Sequence, residues 1–597
     1  MKKIILLFIG LILSTISFSQ ITNSWIGDNG DWQIATNWSL GHQPTSTERV
    51  LIHTGNSNVV ITNVPTTSIS QLEVINHANK TVVLQPSVIG NTITILGGCG
   101  MDLDLTDYNV DLNLENINVI MSIGTEGQLE KNFTCKNITF EPRSTFSIIG
   151  NGHPSFTVDS LILKSDFFGS SSFLVEKNTP ELYFTALYTQ VQLYLTCNKW
   201  HYVSSPVDNA MSGVFYWDFL RYYIEPTNSW SDWIVPTNVP LINAFGYEVW
   251  DTNTTQTRIH TFVGDLHNGD YMVNLTRTYI PSMYDHNGWN LIGNPYPSSV
   301  DWDSPNLVSD HIDPTIYYWS NGVYLSYNRF THLGTGSRYI PPMQGVFVHV
   351  TDNCHNYTNG FVKFKNETRT HNTIPLYKEG YIFENLLSLS IDSIEKTYIY
   401  FVDSATVDFD WQFDNYKMVI DGATQIYSEL SDSNAVSVNT LPYTNDDVVV
   451  NIGFKCGIED NYTITAGDID TFDPNIPIFL EDKITGHIQN LRINPLYTFY
   501  HDPTFTSNRF AIHFYNTSYS IDEQSKNNIT VYSNNKTVYV QSEQVGNIKI
   551  YNMLGQLVFE NVIEKDYNKF ITNLQTGYYV VSVITKNDFG NKKIYIN

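Results

Sequence analysis

Short apolar stretches alternate with polar turns along most of the chain. Within each stretch nearly every second residue is apolar, which is the period of a β-strand with one buried face. In the first third of the chain these stretches recur about every ten residues, with Gly, Asn or Pro between them. They are "RVLIHT", "NVVIT", "QLEVI", "TVVLQ", "TITIL", "VDLNL", "NVIMSI", "NITF", "TFSII" and "LILK". Regular short strands of this kind predict a β-solenoid or a sandwich, and their shortness favours the solenoid.

The same alternation, with local changes of composition, predicts an all-β protein of several domains over 597 residues. Eight of the twelve tryptophans fall between Trp200 and Trp319, in strands such as "FGYEVW" and in a loop, "GNPYP", that its prolines hold open. Plain alternation then returns and predicts a further β-sandwich. The predicted plan is a signal peptide (1–19), a short-strand β region (20–195), a Trp-rich β domain (196–380), a β-sandwich (381–515), a linker (516–526) and a C-terminal domain (527–597).

The N-terminus has the pattern of a secretory signal peptide. Two lysines precede the apolar run Ile4–Leu13, and Ser17 and Ser19 place small residues where a signal peptidase reads them. We expect cleavage after Ser19, which leaves Gln20 as the first residue. The apolar run is too short to cross about 30 Å of hydrocarbon, so we do not expect an integral membrane protein.

Charge and cysteine content narrow the function classes. The net charge is −26, which argues against nucleic acid or anionic lipid as a partner. From Asn527 onward seven Lys outnumber five Asp and Glu, so residues 1–526 carry −28 and the C-terminal domain carries +2. The five cysteines are widely spaced and form no C-x-x-C pair, which predicts neither a disulfide framework nor a zinc site.

The C-terminal domain is patterned strand by strand to its last residues. "IKIYNMLGQLV" reads as a hairpin in which Ile548 and Ile550 alternate with polar residues and Gly555 closes the turn. "LQTGYYVVSVIT" and "NKKIYIN" continue the pattern, and turn residues between the strands predict a small Ig-like sandwich of about seven strands.

These three phrases, in this order, resemble the C-terminal sorting domain (type A) of proteins exported by the type IX secretion system of Bacteroidota. The resemblance covers residues 527–597. It implies export in two steps, with the type IX translocon as partner, and delivery to the cell surface or the medium, commonly with cleavage of the tail. The positions that carry it are Tyr551, Asn552, Gly555, Gly577, Tyr578, Lys592 and Lys593.

The phrases "GWNLIGNPYPSSVDWD" and "IPPMQGVFV" also resemble a recurrent portion of large secreted Bacteroidota proteins, which implies no particular activity. No catalytic signature is present: the sequence has no G-x-S-x-G, H-E-x-x-H, P-loop or G-x-G-x-x-G motif. Asp301 and Asp303 could face one way on a strand, as a glycosidase requires of its two carboxylates, but solvated acidic loops explain them more simply.

The sequence also offers candidate sugar-binding tryptophans and candidate calcium-binding loops. Exposed tryptophans could stack on sugar rings, although we expect most of them to fill the core; the candidates are Trp217, Trp230, Trp233, Trp250, Trp289, Trp302 and Trp319. Acidic loops could hold calcium through oxygen ligands, although Asp is also common in turns; these residues are Asp28, Asp31, Asp468, Asp470 and Asp473.

The sequence thus predicts a secreted or cell-surface protein that is non-catalytic and acts in interaction or adhesion, with a glycan or another surface ligand as partner. We expect no cofactor unless the acidic loops bind calcium. The alternative is a secreted polysaccharide hydrolase or lyase on a β-solenoid.

Overall fold

The computed structural model describes residues 21–597 except for short stretches, and it divides the chain into two compact units. The first unit is Met1–Ile312 with Tyr339–Pro375, and the second is Asp313–Arg338 with Leu376–Asn597. The stretches that are not described are 56, 76–78, 99, 107–109, 150–153, 177–183, 236–237, 253–257, 279–286, 321, 352–358, 373–382, 392–394, 432–433, 445, 515–528, 553–555 and 587–588.

The first unit opens with a stack of short strands. In chain order β1 to β18 are Thr22–Trp25, Gly30–Asp31, Arg49–His53, Val59–Val64, Thr67–Ile69, Gln71–Ile75, Lys80–Pro86, Thr92–Ile95, Leu103–Leu105, Val110–Met121, Glu126–Leu129, Phe133–Phe140, Thr145–Ile148, Phe156–Leu163, Ser165–Asp166, Gly169–Ser170, Ser172–Val175 and Phe184–Leu195. One sheet has the order β1-β3-β6-β9-β11-β13-β17, and the other runs β2-β4-β7-β10-β12-β14-β18. Neighbours in both sheets are parallel, so each coil contributes one strand to each sheet, which is the architecture of a β-solenoid.

Parallel register stacks apolar side chains in columns through the solenoid. Val50 pairs with Leu72, and Leu72 pairs with Leu103, so three successive coils bury one column. Each such side chain contributes roughly 1.5–3 kcal/mol on burial. In later coils the same column becomes aromatic, because Phe146 pairs with Phe173 and their rings stack with centres 5.9 Å apart.

The solenoid begins with three interlocked tryptophans. Trp25, Trp32 and Trp38 are all buried, and the ring of Trp38 lies 5.1 Å from Trp25 and 4.7 Å from Trp32. The indole nitrogen of Trp38 donates to the carbonyl of Trp32 at 2.8 Å. The three tryptophans that the sequence spaces among Gly, Asp and Asn therefore cover the first coil.

Strands β19 to β34 follow the solenoid along the chain. They are Trp200–Val203, Phe219–Arg221, Tyr223–Ile224, Ser229–Trp230, Tyr247–Trp250, Arg258–Val263, Tyr271–Thr276, Trp289–Gly293, Ser299–Asp301, Val308–Asp310, Thr315–Ser320, Val323–Asn328, Tyr339–Ile340, Gly345–His349, Asn359–Phe364 and Arg369–Thr370. β24 pairs antiparallel with β18 and so covers the last edge of the second solenoid sheet. The small sheet β19-β23-β20 carries Phe219 and Arg221 on its strand β20. Short 3₁₀ turns lie at Ala35–Asn37, Ser212–Phe215, Glu225–Thr227, Asn366–Thr368 and Ile469–Thr471.

The second unit contains the hairpin β29–β30, a sandwich-like domain and the C-terminal domain. Strands β35 to β45 of the sandwich are Leu386–Ser390, Lys396–Phe401, Asn415–Tyr416, Gln425–Glu429, Ala435–Leu441, Val448–Lys455, Asp460–Gly467, Ile478–Asp482, His487–Asn490, Leu496–His501 and Asn508–Phe514. They form one continuous sheet, β43-β42-β45-β40-β38-β39-β36-β35-β41-β44, in which β37 adds to β39. The two layers of the sandwich are therefore the two halves of one sheet, and they share a single core.

The C-terminal domain is a seven-stranded sandwich. Its strands β46 to β52 are Ile529–Asn534, Thr537–Ser542, Gly546–Asn552, Leu557–Ile563, Asp566–Ile571, Gly577–Thr585 and Phe589–Ile596. They form two sheets, β46-β47-β50 and β49-β48-β51-β52, with an aliphatic core between them. The predicted all-β, multidomain fold class with an Ig-like C-terminal domain is confirmed. None of the helices in the described part of the chain has both the length and the apolar character needed to cross a membrane.

Candidate functional site

An exposed aromatic surface lies on and beside strand β20 of the first unit. Trp217 exposes 70% of its area, and the neighbouring Tyr216 is also exposed, with the two ring centres 4.7 Å apart. Phe219 on β20 is exposed too, and its ring lies 5.0 Å from the exposed ring of Trp233. These two exposed ring pairs, which Trp217 and Phe219 place two residues apart along the chain, are together named the aromatic surface. Exposed apolar patches of this kind mark interaction sites on soluble proteins.

Trp217 has a backbone conformation that tryptophan rarely adopts. In the turn 215–218 the N–H of Asp218 donates to the carbonyl of Phe215 at 3.0 Å. Tyr216 has φ −60° and ψ 130°, and Trp217 has φ +79°, the pattern of a type II turn whose third position normally takes glycine. A bulky residue there costs on the order of 1–3 kcal/mol, and such strain clusters at functional sites.

Neighbouring side chains hold this turn in place. The buried carboxylate of Asp218 accepts a hydrogen bond from Nη1 of Arg258 at 3.0 Å. The same nitrogen reaches the carbonyl of Tyr216 at 3.4 Å, and the hydroxyl of Thr252 donates to the carbonyl of Trp217 at 2.7 Å. Both carbonyls of the strained peptide segment are therefore fixed, and the Trp217 ring is presented to solvent.

The carboxylate that anchors this arrangement is itself buried among ionisable groups. Burial raises the pKa of Asp218, and the carboxylate of Asp251 raises it further, while His260 acts in the opposite direction. Nε2 of His260 lies 3.5 Å from Asp218, and its other ring nitrogen lies 3.1 Å from the carbonyl of Val214. The imidazole thus links the anchor to the 3₁₀ turn that precedes Tyr216.

A second cation supports the exposed ring of Trp233. The guanidinium carbon of Arg221 lies 4.8, 4.7 and 4.8 Å from the ring centres of Trp200, Trp230 and Trp233. Its Nε pairs with the carboxylate of Glu248, whose pKa burial raises to about 7. Cation–π contacts of this kind contribute roughly 0.5–2 kcal/mol each. Arg221 therefore fixes the orientation of the rings around it.

The candidate tryptophans occupy three environments. Trp289 and Trp302 are buried. Trp230, Trp250 and Trp319 are half-buried, and Trp217 and Trp233 are exposed. The expectation that most of them fill the core holds in full for only two of these seven. The two exposed tryptophans lie in turns or loops outside the strands, whereas the three half-buried ones lie on strands of small sheets.

Sequence reasoning missed Tyr216, Phe219 and the residues that hold the turn. The signal was present in "VFYWDF", where three consecutive aromatic residues break the period of two that a strand requires. Such a break marks a turn, and here the turn buries the ring of Phe215 and leaves those of Tyr216 and Trp217 exposed. The long-range partners Arg258 and Thr252 carry no such signal.

The other carboxylate candidates serve as turn residues. The backbone N–H of Asp303 donates to Oδ1 of Asp301 at 3.0 Å, so the Asp301 carboxylate caps the turn that follows β27. In the first acidic loop, Asp31 accepts from the N–H of Gln33 at 2.8 Å and from Nδ2 of Asn63 at 2.6 Å. Among the described residues, which include Asp28, Asp468, Asp470 and Asp473, no group of three His, Cys, Asp or Glu side chains that could hold a metal ion is found.

One serine–histidine pair has the spacing of a nucleophile and its base. Oγ of Ser147 lies 2.8 Å from Nε2 of His371, but the other ring nitrogen faces Oγ of Ser172, also at 2.8 Å, in place of a carboxylate. Burial lowers the pKa of His371 to about 4. Both serines are buried in strands of the solenoid, and the half-buried His371 joins them across segments of the first unit.

The predicted sorting-motif residues lie on three strands of the C-terminal domain. Tyr551 and Asn552 end β48, Gly577 and Tyr578 begin β51, and Lys592 and Lys593 lie on β52. Tyr578 is exposed, and the ammonium of Lys593 lies 4.5 Å from its ring centre. Gly555 of this motif and the predicted cleavage residues Ser17, Ser19 and Gln20 lie outside the described residues.

Comparison with known proteins yields two family matches. The model described as "Domain of unknown function (DUF8693)" matches residues 174–514, and the model described as "Secretion system C-terminal sorting domain" matches residues 525–597. No curated protein matches the chain. The second match confirms the predicted type IX secretion sorting domain, which is characteristic of Bacteroidota. The protein is therefore exported by type IX secretion to the cell surface or the medium, and its C-terminal domain interacts with the secretion machinery.

Proposed function

The chain belongs to the family described as "Domain of unknown function (DUF8693)", whose model covers more than half of it, and we propose that its exported body is a non-catalytic interaction protein that contacts a glycan through the aromatic surface. Export by type IX secretion places the body where surface glycans are the abundant partners. The family description itself carries no activity, so the proposal depends on the site.

The observation that carries the proposal is the exposed, strained Trp217. Its φ of +79° costs stability, and Arg258 and Thr252 are both used to hold the two carbonyls of the turn. A ring that only filled space would be buried, because burial of a tryptophan is strongly favourable. Presentation of the ring to solvent therefore supports a role in binding.

The chemistry of the aromatic surface favours a neutral glycan. A pyranose ring has an apolar face of C–H groups that packs on an exposed aromatic ring, and its hydroxyls hydrogen-bond to polar groups at the rim. Arg258, which is partly exposed beside Tyr216, supplies such a donor. The net charge of −28 on residues 1–526 disfavours an acidic polysaccharide through repulsion.

The test is retention of the purified full chain on immobilised neutral polysaccharides, among them starch, cellulose and mannan. Trp217→Ala and Trp233→Ala should each lose most of the retention on the polysaccharide that binds the wild type. Phe330→Ala is the matched control, because Phe330 is an exposed aromatic residue of the second unit. Retention that is absent in the wild type, or equal in wild type and Trp217→Ala, would overturn the glycan proposal.

The same incubations separate binding from the enzymatic alternative. A hydrolase or lyase releases new reducing ends from the polysaccharide, whereas a binding protein leaves the polymer intact. We expect no increase in reducing ends above the buffer blank. A time-dependent increase that Trp217→Ala abolishes would instead favour a polysaccharide-active enzyme.

A further inference from the structure

One strand of the sandwich carries a large apolar residue on its outward face. Strand β42 alternates, so Ile478 and Leu480 lie in the sandwich core, whereas Phe479 and Glu481 point the other way. Phe479 is nevertheless 0% exposed. Its outward position therefore has a cover that does not belong to the sandwich core.

The residues around Phe479 are defined by the register of the sheet. Phe479 pairs with Asn490 of β43 and with His513 of β45, and Glu481 pairs with Ile488 of β43. We name these five residues the docking face. It combines two apolar side chains with an amide, an acid and an imidazole.

The sheet β46-β47-β50 of the sorting domain covers the docking face. Val531, Val538 and Val540 of this sheet point into the sorting-domain core, so alternation turns Tyr532 and Tyr539 outward. The ring of Tyr532 lies 5.0 Å from Phe479, and Tyr539 is buried in one cluster with Phe479 and Ile488.

Strand β50 adds Tyr567 and Lys569 to the same interface. The ring of Tyr567 lies 5.9 Å from that of Phe479, and the hydroxyls of Tyr532 and Tyr567 are hydrogen-bonded to each other. Burial raises the pKa of Tyr539 to about 12, and it raises the pKa of Tyr567 as well. Burial in the interface therefore disfavours the charged form of either phenol.

An ionic contact sets the lateral position of the two faces. Glu481 accepts a hydrogen bond from Nε2 of His513 at 2.8 Å and from Nζ of Lys569 at 3.3 Å. The hydrogen bond from His513, with further contributions from Lys569, lowers the pKa of Glu481 to about 2. At the margin of the interface, Nδ2 of Asn490 donates a hydrogen bond to Oε1 of Gln541 at 3.5 Å.

Docking leaves the opposite sheet of the sorting domain open. On β51 and β52, Tyr578 and Tyr595 are 49% and 46% exposed, with ring centres 5.0 Å apart. Ile594 and Ile596 point into the core, so Lys593 and Tyr595 share the outer face with Tyr578. The face that carries two of the sorting-motif residues thus lies on the side away from the docking face.

We propose that the docking face holds the sorting domain in one orientation on the folded sandwich, so that its Tyr578–Lys593 face is presented to the export machinery and export depends on the sandwich being folded. The sorting domain then works as part of a rigid two-domain surface. The alternative is a tag that swings freely on its linker. This inference depends on export through the sorting domain and is independent of the glycan proposal.

The experiment uses full-length variants in cells that perform type IX secretion. Phe479→Ser removes the central contact, and Phe479 points away from the sandwich core, so the sandwich should still fold. Glu481→Lys and Lys569→Glu each place like charges together, and the double variant restores an opposite pair in reversed polarity. Phe505→Ser is the matched control, because Phe505 is an exposed phenylalanine of the same sandwich.

Two measurements are made on each variant. Hydrogen exchange reports docking through strands β42 and β47 and reports the sandwich fold through β36 and β40. Protease accessibility on intact cells and assay of the medium report export. We expect Phe479→Ser and both single charge variants to accelerate exchange in β42 and β47 only and to lose most of the exported fraction, whereas the charge-swapped double variant and Phe505→Ser resemble the wild type.

Each other outcome contradicts the proposal. If exchange in β42 and β47 stays slow in Phe479→Ser, the contact does not hold the sorting domain in solution. If exchange accelerates but export stays at the wild-type level, orientation on the sandwich is not required. If the double variant fails as badly as the single ones while its sandwich stays folded, the Glu481–Lys569 contact is not what positions the domain.

Discussion

The aromatic surface of the first unit and the docking face of the second unit are built from the same kinds of residue but are treated oppositely by the fold. Trp217 stays open to solvent although its backbone is strained, whereas Phe479 lies on an ordinary strand and is fully covered. The covered face has its partner in the same chain. Within the part of the chain that the structure describes, the open face has no such cover, and this difference is why we assign a ligand outside the chain to the first surface only.

The carboxylates of the two surfaces show the same contrast. Burial raises the pKa of Glu248 beneath the aromatic surface to about 7, whereas His513 and Lys569 lower that of Glu481 in the docking face to about 2. Glu481 therefore joins two domains as an anion over most of the pH range. Glu248 instead forms an ion pair with a single arginine, Arg221, inside one domain.

The largest effect is expected from deletion of residues 527–597. Without the sorting domain the exported fraction should fall to the level of a non-secreted control, and the body should accumulate in the periplasm. The sandwich should stay folded, because Ile478 and Leu480 remain in its core, but Phe479 becomes exposed. Cell fractionation with protease accessibility measures this, and export of the truncated chain at full yield would show that the sorting domain is dispensable.

Phe479→Ala should lower the stability of the docking face far more than Trp217→Ala lowers that of the aromatic surface. Truncation of a buried phenylalanine costs about 3 kcal/mol, whereas truncation of an exposed ring usually changes stability by less than about 0.5 kcal/mol. The free energy of opening, from native-state hydrogen exchange in β46 and β47 for the first variant and in β20 and β23 for the second, checks this. Equal losses at both sites would remove the distinction between a covered and an open surface.

How much of this contrast could be predicted differs between the two surfaces. The solenoid and the sorting domain follow from the period of two and from turn residues, because both are local properties of the chain. The strained turn does not, because the third position of a type II turn predicts glycine and here holds Trp217. Phe479 reads from the sequence as an ordinary outward strand residue, and its cover comes from β46 and β47, across a linker of predicted residues 516–526.

The opposite pKa shifts predict opposite responses to pH. The pKa of Glu481 lies below the usual value of about 4.5 for a glutamate, so the stability it gives the docking face is present above about pH 4.5 and is lost as the pH falls towards 2. The pKa of Glu248 is raised to about 7, so the stability linked to it is present below about pH 4.5 and is lost as the pH rises through 7. Each change is at most about 3 kcal/mol, and solvent screening of the partly buried carboxylates reduces it.

Two isosteric variants check the assignment of these responses. Glu481→Gln should abolish the acid-dependent loss of protection in β42 and β47, and Glu248→Gln should abolish the loss in β20 and β23 between pH 4.5 and 7. The groups that face these carboxylates are His513, Lys569 and Lys483 for the first and Arg221 for the second. Profiles that are unchanged in the Gln variants would assign the pH response to those other groups.

The smallest effect, and the most informative for function, is expected from Trp217→Gly. Glycine adopts φ near +79° without steric cost, so the substitution releases strain on the order of 1–3 kcal/mol. Its greater freedom in the unfolded chain offsets part of that gain, and the net stabilisation should be up to about 1 kcal/mol. At the same time the variant should lose polysaccharide retention as completely as Trp217→Ala.

If the strained tryptophan serves binding, the variant gains stability and loses binding. If the ring serves packing, the variant loses both stability and binding. Thermal unfolding of the first unit, measured beside the retention assay, decides between them, and a lower unfolding temperature in Trp217→Gly would mean that the tryptophan serves the fold.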